Sequence, residues 1–172
     1  PELNVMIAGD QVLPKISTNV GVWPNEPLAD ALTWFLDGFS RFRRLPADAL
    51  VLPSHGFPFI GLHTRLDQLV AHHDARLNDI TFAIAQRGPI DGKGGGATGW
   101  DMVPVLFPRH LDNTQIVFAF GETLAHLHCL ETRARVKRVV VDGVHRFVAL
   151  VDAHAPPPAD DSDAEVMDIG QT

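Results

Sequence analysis

Two short apolar runs each end at a glycine-marked turn that carries a side chain able to bind a metal. Val5-Met6-Ile7-Ala8 reaches Gly9 and then Asp10, and Leu50-Val51-Leu52-Pro53 reaches Ser54-His55-Gly56. Asp10 and His55 are 45 residues apart, with a helical pattern between the two runs. A strand, helix, strand order in a parallel or mixed sheet brings both strand ends to one edge, where open α/β sheets collect ligands. A carboxylate oxygen and an imidazole nitrogen suit zinc, iron or manganese. The same residues have an ordinary reading: Asp10 caps its turn and His55 bonds backbone within its own. Spacing alone favours the ordinary one.

The elements that must position this pair are legible from periodicity and turn chemistry. Leu3 to Ala8 reads as a buried strand and Ala49 to Leu52 as a second, short one. Residues 11–27 hold Pro14, Asn19, Gly21, Pro24 and Pro27, the composition of a long loop, and loops of that length inside a domain usually serve function. Leu28, Leu32, Phe35, Leu36, Phe39 and Phe42 then recur at helical spacing, with Pro46 as the stop. A longer stripe, Leu62, Leu66, Leu69, Val70, His73, Leu77, Ile80 and Ile84, predicts an amphipathic helix to about Gln86. Asp91-Gly92-Lys93-Gly94-Gly95-Gly96 is the internal break. Beyond it come a short helix over Thr98–Phe107, where Thr98 and Asp101 have capping-box spacing, and a longer one over Asn113–Arg133. Two apolar-alternating runs flanking Asp142-Gly143 predict a hairpin.

The chain has 172 residues and is 45% hydrophobic, enough for one ordinary domain or two small ones. Its single cysteine, Cys129, excludes an internal disulfide and suits a reducing, cytoplasmic compartment. No apolar run approaches the 18 or so residues that span a membrane. The sequence opens Pro1-Glu2-Leu3, as a processed chain or a piece of a longer protein would. Of the net charge of −7, residues 151–172 contribute −6, leaving −1 for residues 1–150. The tail, with its Pro-Pro-Pro lead-in and no Lys or Arg, reads as disordered. A nearly neutral body gives no general case for nucleic-acid binding.

From Ile7 to Leu77 the chain resembles the second half of a metallo-β-lactamase-fold hydrolase. The residues that carry the likeness are Ala8-Gly9-Asp10-Gln11-Val12-Leu13, Ile16-Ser17-Thr18-Asn19-Val20-Gly21-Val22-Trp23, Leu52-Pro53-Ser54-His55-Gly56, Arg65-Leu66-Asp67-Gln68-Leu69 and His72-His73. The C-terminal part is similar to the subgroup holding β-lactamase-like 2 and glyoxalase-II-like hydrolases, so that the resemblance covers about residues 3–150. It implies an α+β fold in which residues 1–87 would be the C-terminal half of an αββα sandwich and 98–150 a winged-helix-like domain. Composition makes 88–97 a flexible glycine-rich linker between them and 151–172 the acidic tail. The resemblance further implies that Asp10 bridges two zinc ions (iron or manganese being alternatives) and that His55 completes the second. The chemistry implied is metal-assisted hydrolysis of a small ester or thioester. The family's His-x-His-x-Asp-His signature and a further His should precede the Asp turn, and only nine residues precede Asp10. His126-Leu127-His128 is no substitute, because positions i and i+2 of a helix point to different faces. The chain is therefore expected to hold few or no metal ions and to be inactive by itself.

Other residues divide between function and packing. His63, close to the His55 turn, is a candidate for a supporting or substrate-side role, and Trp23 either lines a substrate pocket or packs. His73 lies on the apolar stripe and reads as a core residue, while His72 lies off it and reads as solvated. Arg133, Arg135, Lys137 and Arg138 could contact phosphates from the hairpin; a solvated basic face explains them more simply. Two rival functions remain: an endoribonuclease of the same fold, and a non-catalytic winged-helix module for protein or nucleic acid. Nucleic acid is not favoured, since the helix that would read it carries Phe118, Phe120, Leu124, Glu122 and Glu131. A half sandwich leaves apolar surface bare, so self-association is expected.

Overall fold

The computed structural model describes residues 4–90 and 95–150. Leu3, the centre of the glycine-rich break at 91–94, His154 and the acidic tail lie outside the described residues. Eight elements follow in order: β1 (Val5–Gly9), α1 (Ala31–Phe42), β2 (Leu50–Pro53), α2 (Leu62–Ala85), α3 (Gly99–Leu106), α4 (Asn113–Thr132), β3 (Val136–Val141) and β4 (Val144–Ala149).

β1 and β2 pair in parallel, Val5 with Leu50 through Gly9 with Pro53, with a register shift between Ile7 and Gly9. α1 is the crossover between them. It starts at Ala31 rather than near Leu28, because the Asp30 side chain accepts the Thr33 amide and sets the first turn. Leu28 is left outside the helix and exposed. β1 is not the buried strand its composition suggests. Met6 and Ala8 face the core, whereas Ile7 is 86% exposed and Val5 39%. A strand alternates faces, and among the described residues only one face of this two-stranded sheet is covered.

Two apolar clusters share α2. Its first half, Leu62, Leu66 and Leu69, packs with Met6, Ala8, Val12, Phe39 and Val51 beneath the sheet. Its second half, Leu77, Ile80 and Ile84, joins Val20, Val22, Leu32 and the residues of α3, α4 and the hairpin. His73 sits between the two clusters, fully buried. Packing thus crosses the 88–97 stretch: Ala97 is fully buried, and it pairs with Phe147 of β4.

α3 is capped as its spacing predicts. Thr98 Oγ1 accepts the Asp101 amide and Asp101 Oδ2 accepts the Thr98 amide. This box offsets the poor helix formers Gly99 and Pro104. Asp112 and Gln115 form the same box on α4. β3 and β4 are antiparallel, joined by Asp142-Gly143 with Val141 opposite Val144. The end of α2, then α3, α4 and the hairpin, occupy the helix, helix, helix, hairpin order read from the sequence.

Candidate metal centre

Asp10 and His55 meet. Because β1 and β2 run in parallel, their carboxyl ends lie side by side, and each strand gives up its polar residue one or two positions later. Gly9, at φ +53, takes the left-handed conformation that turns Asp10 out of the strand line. The Ser54 amide donates to the Gly9 carbonyl at 3.0 Å and locks the two turns together. Asp10 Oδ1 then lies 2.7 Å from His55 Nδ1, and Ser54 Oγ donates to the same oxygen. Ser54, first, and His55 hold the Asp10 carboxyl below the usual carboxylate range, so it is anionic at neutral pH. Both side chains are open to solvent, at 54% for Asp10 and 70% for His55.

The loop after Asp10 is held at several points. Thr18 Oγ1 donates to the Asp10 carbonyl. Arg65 of α2 donates to the carbonyls of Leu13 at 2.7 Å and Ile16 at 3.0 Å. Further along, the Val22 amide donates to the Gly121 carbonyl at 3.0 Å, and Trp23 meets Phe118 edge-on at 5.6 Å. Trp23 remains 43% exposed. The contributions of Ser54, Thr18 and Arg65 had no sequence signal beyond their place in the family-like stretches, since each depends on partners brought near by folding.

His63 is not brought to this pair. Its Nε2 lies 3.0 Å from the Leu45 carbonyl, where it ties α2 to the end of α1. The His126-x-His128 motif splits as expected: His126 turns to His73 of α2, and His128 bonds the Ala29 carbonyl at 2.9 Å. His72 accepts from Arg76 Nε at 3.0 Å rather than standing solvated. Cys129 is buried, and burial pushes its thiol up, away from nucleophile chemistry.

Comparison with known proteins bears on this geometry. Residues 93–150 match the family described as metallo-beta-lactamase-like, C-terminal domain. Over those residues the chain is similar to that C-terminal domain. It is also similar to a beta-lactamase domain protein from Burkholderia ambifaria, at 44% identity and a TM-score of 0.77 over 84% of this chain and 41% of that one. A metallo-beta-lactamase family protein from Thermus thermophilus shares 33% identity at a TM-score of 0.67, over 86% of this chain and 42% of that one. The likeness therefore extends well upstream of residue 93, and the chain spans about two fifths of the length of these relatives. No functionally curated protein matches the sequence.

Within residues 93–150, two of the four basic residues considered for phosphate contact are in ion pairs. Arg133 pairs with Asp74 at 2.9 Å and Arg138 with Glu131 at 2.8 Å. Arg135 is half-buried and Lys137 is exposed. Among the described residues no helix is long and apolar enough to cross a membrane.

The donors at the strand ends fit part of a metal centre. An anionic carboxylate and an imidazole converge at an open edge, the donor types zinc, iron and manganese accept. Among the described residues, however, no group of three or more His, Cys, Asp or Glu side chains gathers there or elsewhere.

Proposed function

We propose that this chain is the C-terminal portion of a metal-dependent hydrolase of the metallo-beta-lactamase superfamily, acting on a small ester or thioester, with Asp10 and His55 as two of its metal ligands. The observation that carries the reading is the 2.7 Å approach of these side chains at neighbouring strand ends. A turn-capping aspartate has no need of an imidazole from another turn. Ser54 and His55 orient the Asp10 carboxylate, whose charge is available to a cation at neutral pH. A metal bound there supplies Lewis-acid polarisation and an activated water for hydrolysis. Two helices and a hairpin within residues 98–150, preceded by the end of α2 as a first helix, support reading this part of the chain as winged-helix-like. The ion pairs of Arg133 and Arg138 weigh against the endoribonuclease alternative, because those charges are already answered within the chain.

Cobalt titration tests the site. A single weak cobalt spectrum is expected in the unaltered chain and its loss in both Asp10→Ala and His55→Ala. A spectrum that survives both substitutions would place the ion elsewhere.

Self-association belongs to the same proposal. Val5 and Ile7 of β1 share a face with Leu50 and Leu52 of β2, and among the described residues Val5, Ile7 and Leu50 are exposed on it while Leu52 is half-buried. Such a face tends to find a partner. Sedimentation velocity is expected to show concentration-dependent dimers that Ile7→Asp reduces to monomer; identical profiles for the two proteins would contradict this.

A further inference from the structure

We propose that Glu122 of α4 is a positioning residue for Asp10, acting through the loop that joins β1 to α1. The proposal rests on the metal-site reading above, and it makes the C-terminal domain part of the site rather than an appended module.

The loop runs from Gln11 to Asp30 without helix or strand. A segment of that length keeps one conformation only if its backbone is held by something outside it. Arg65 holds residues 13 and 16. The next anchor comes from the far side of the molecule: Asn19 Nδ2 donates to Glu122 Oε2 at 2.9 Å, across 103 residues of sequence. Thr18, immediately before it, donates to the Asp10 carbonyl. Two adjacent residues therefore join Asp10 to α4.

Glu122 is costly where it stands. Its side chain is 7% exposed, and burial pushes its carboxyl up. Among the described residues no salt bridge reaches it, and its side chain takes one hydrogen bond, from Asn19. A buried carboxylate without an ion pair destabilises a helix interface that an apolar residue would serve better. The charge of Arg76 offsets part of that burial, and the one side-chain hydrogen bond on the carboxylate among the described residues comes from the Asp10 loop.

The surroundings are shaped for that contact. Val20 and Val22, on either side of Gly21, are buried in the larger core. The Val22 amide bonds the Gly121 carbonyl. A Cβ on Gly121 would stand 3.1 Å from the Val22 carbonyl oxygen and 3.6 Å from Gly21 Cα, so the missing side chain is what lets the loop reach the helix. His126 Nδ1 lies 2.8 Å from the Glu122 carbonyl and fixes the turn of α4 on which the carboxylate rides.

Hydrogen exchange and cobalt binding on the full 172-residue chain test this together. Glu122→Ala and Asn19→Ala are each expected to speed amide exchange in residues 11–23 about tenfold, the worth of a buried hydrogen bond to a charged group. The double variant should be no looser than either single one. Cobalt affinity should fall about tenfold, as it does when support behind a metal ligand is lost. Glu122→Gln keeps an acceptor for Asn19 and should restore both within twofold. Unchanged exchange in residues 11–23 on Glu122→Ala would overturn the proposal. So would a Gln variant as loose as the Ala one, or loosening spread equally through α4 and the hairpin. Failure of the unaltered chain to bind cobalt would overturn the metal reading instead, while the exchange data still decide whether Glu122 holds the loop.

Discussion

Lowering the pH from 7 to 4.5 is expected to remove about 4 kcal/mol of folding stability through one buried pair, His73 and His126. Both side chains are fully buried, and His73 Nδ1 lies 3.3 Å from His126 Nε2. Burial first, and in His73 the neighbouring His126 next, holds His73 down at about 3 and His126 at about 4. The ordinary value is about 6.5. The tautomers follow from the partners. His126 Nδ1 donates to the Glu122 carbonyl, so its Nε2 accepts, and His73 Nδ1 is the donor that meets it. His73 Nε2 is left as a buried lone pair without a hydrogen-bond partner among the described residues.

Between about pH 6.5 and pH 4 the unfolded chain takes up protons that the folded pair refuses, so stability falls as pH falls. The neutral pair stands at full strength above about 6.5 and is eroded through that window. Asp79 and Glu122 act in the opposite sense, since burial raises both and the folded state then gains as they protonate. The pair is therefore isolated by comparison. Urea unfolding of His126→Gln is expected to lose about half as much stability over the same range, because one of two titrating groups is gone. Parallel pH profiles for the two proteins would sink the prediction. Because His73 lies between the two apolar clusters, acid should open the α2–α4 joint before the outer ends of either cluster.

The second large effect concerns metal. The 172-residue chain is expected to retain well under two equivalents of zinc after dialysis and to hydrolyse no ester, thioester or RNA. A catalytic zinc keeps about three protein ligands and an open position. Asp10 and His55 supply two donors, and among the described residues no third gathers with them. With two donors on separate exposed turns an ion stays mostly hydrated, and little of the cost of ordering the turns is offset. Metal analysis after dialysis, combined with the three cleavage assays, decides it. Near two equivalents retained, or turnover that Asp10→Ala abolishes, would reveal a complete site within this chain.

What the sequence determined by itself was local. Helical spacing located α2 to within a residue, Thr98 and Asp101 announced a real capping box, and Asp142-Gly143 marked the hairpin turn. These signals survive because each depends on residues within one turn or one strand pair. The Asp10 and His55 turns were equally plain, and the parallel pairing that joins them follows from a helix lying between two short strands. His73 was legible as a core residue from its place on the stripe, but its partner was not. His126 lies 53 residues away, and no periodicity connects two helices. The same holds for Asn19 and Glu122, where α4 looked like an apolar helix carrying two acids until folding set the loop against one of them. Only the tertiary structure could show that one face of β1 is uncovered among the described residues. A run of Val, Met, Ile and Ala reads as buried on both sides, and whether a second layer covers it depends on atoms far along the chain.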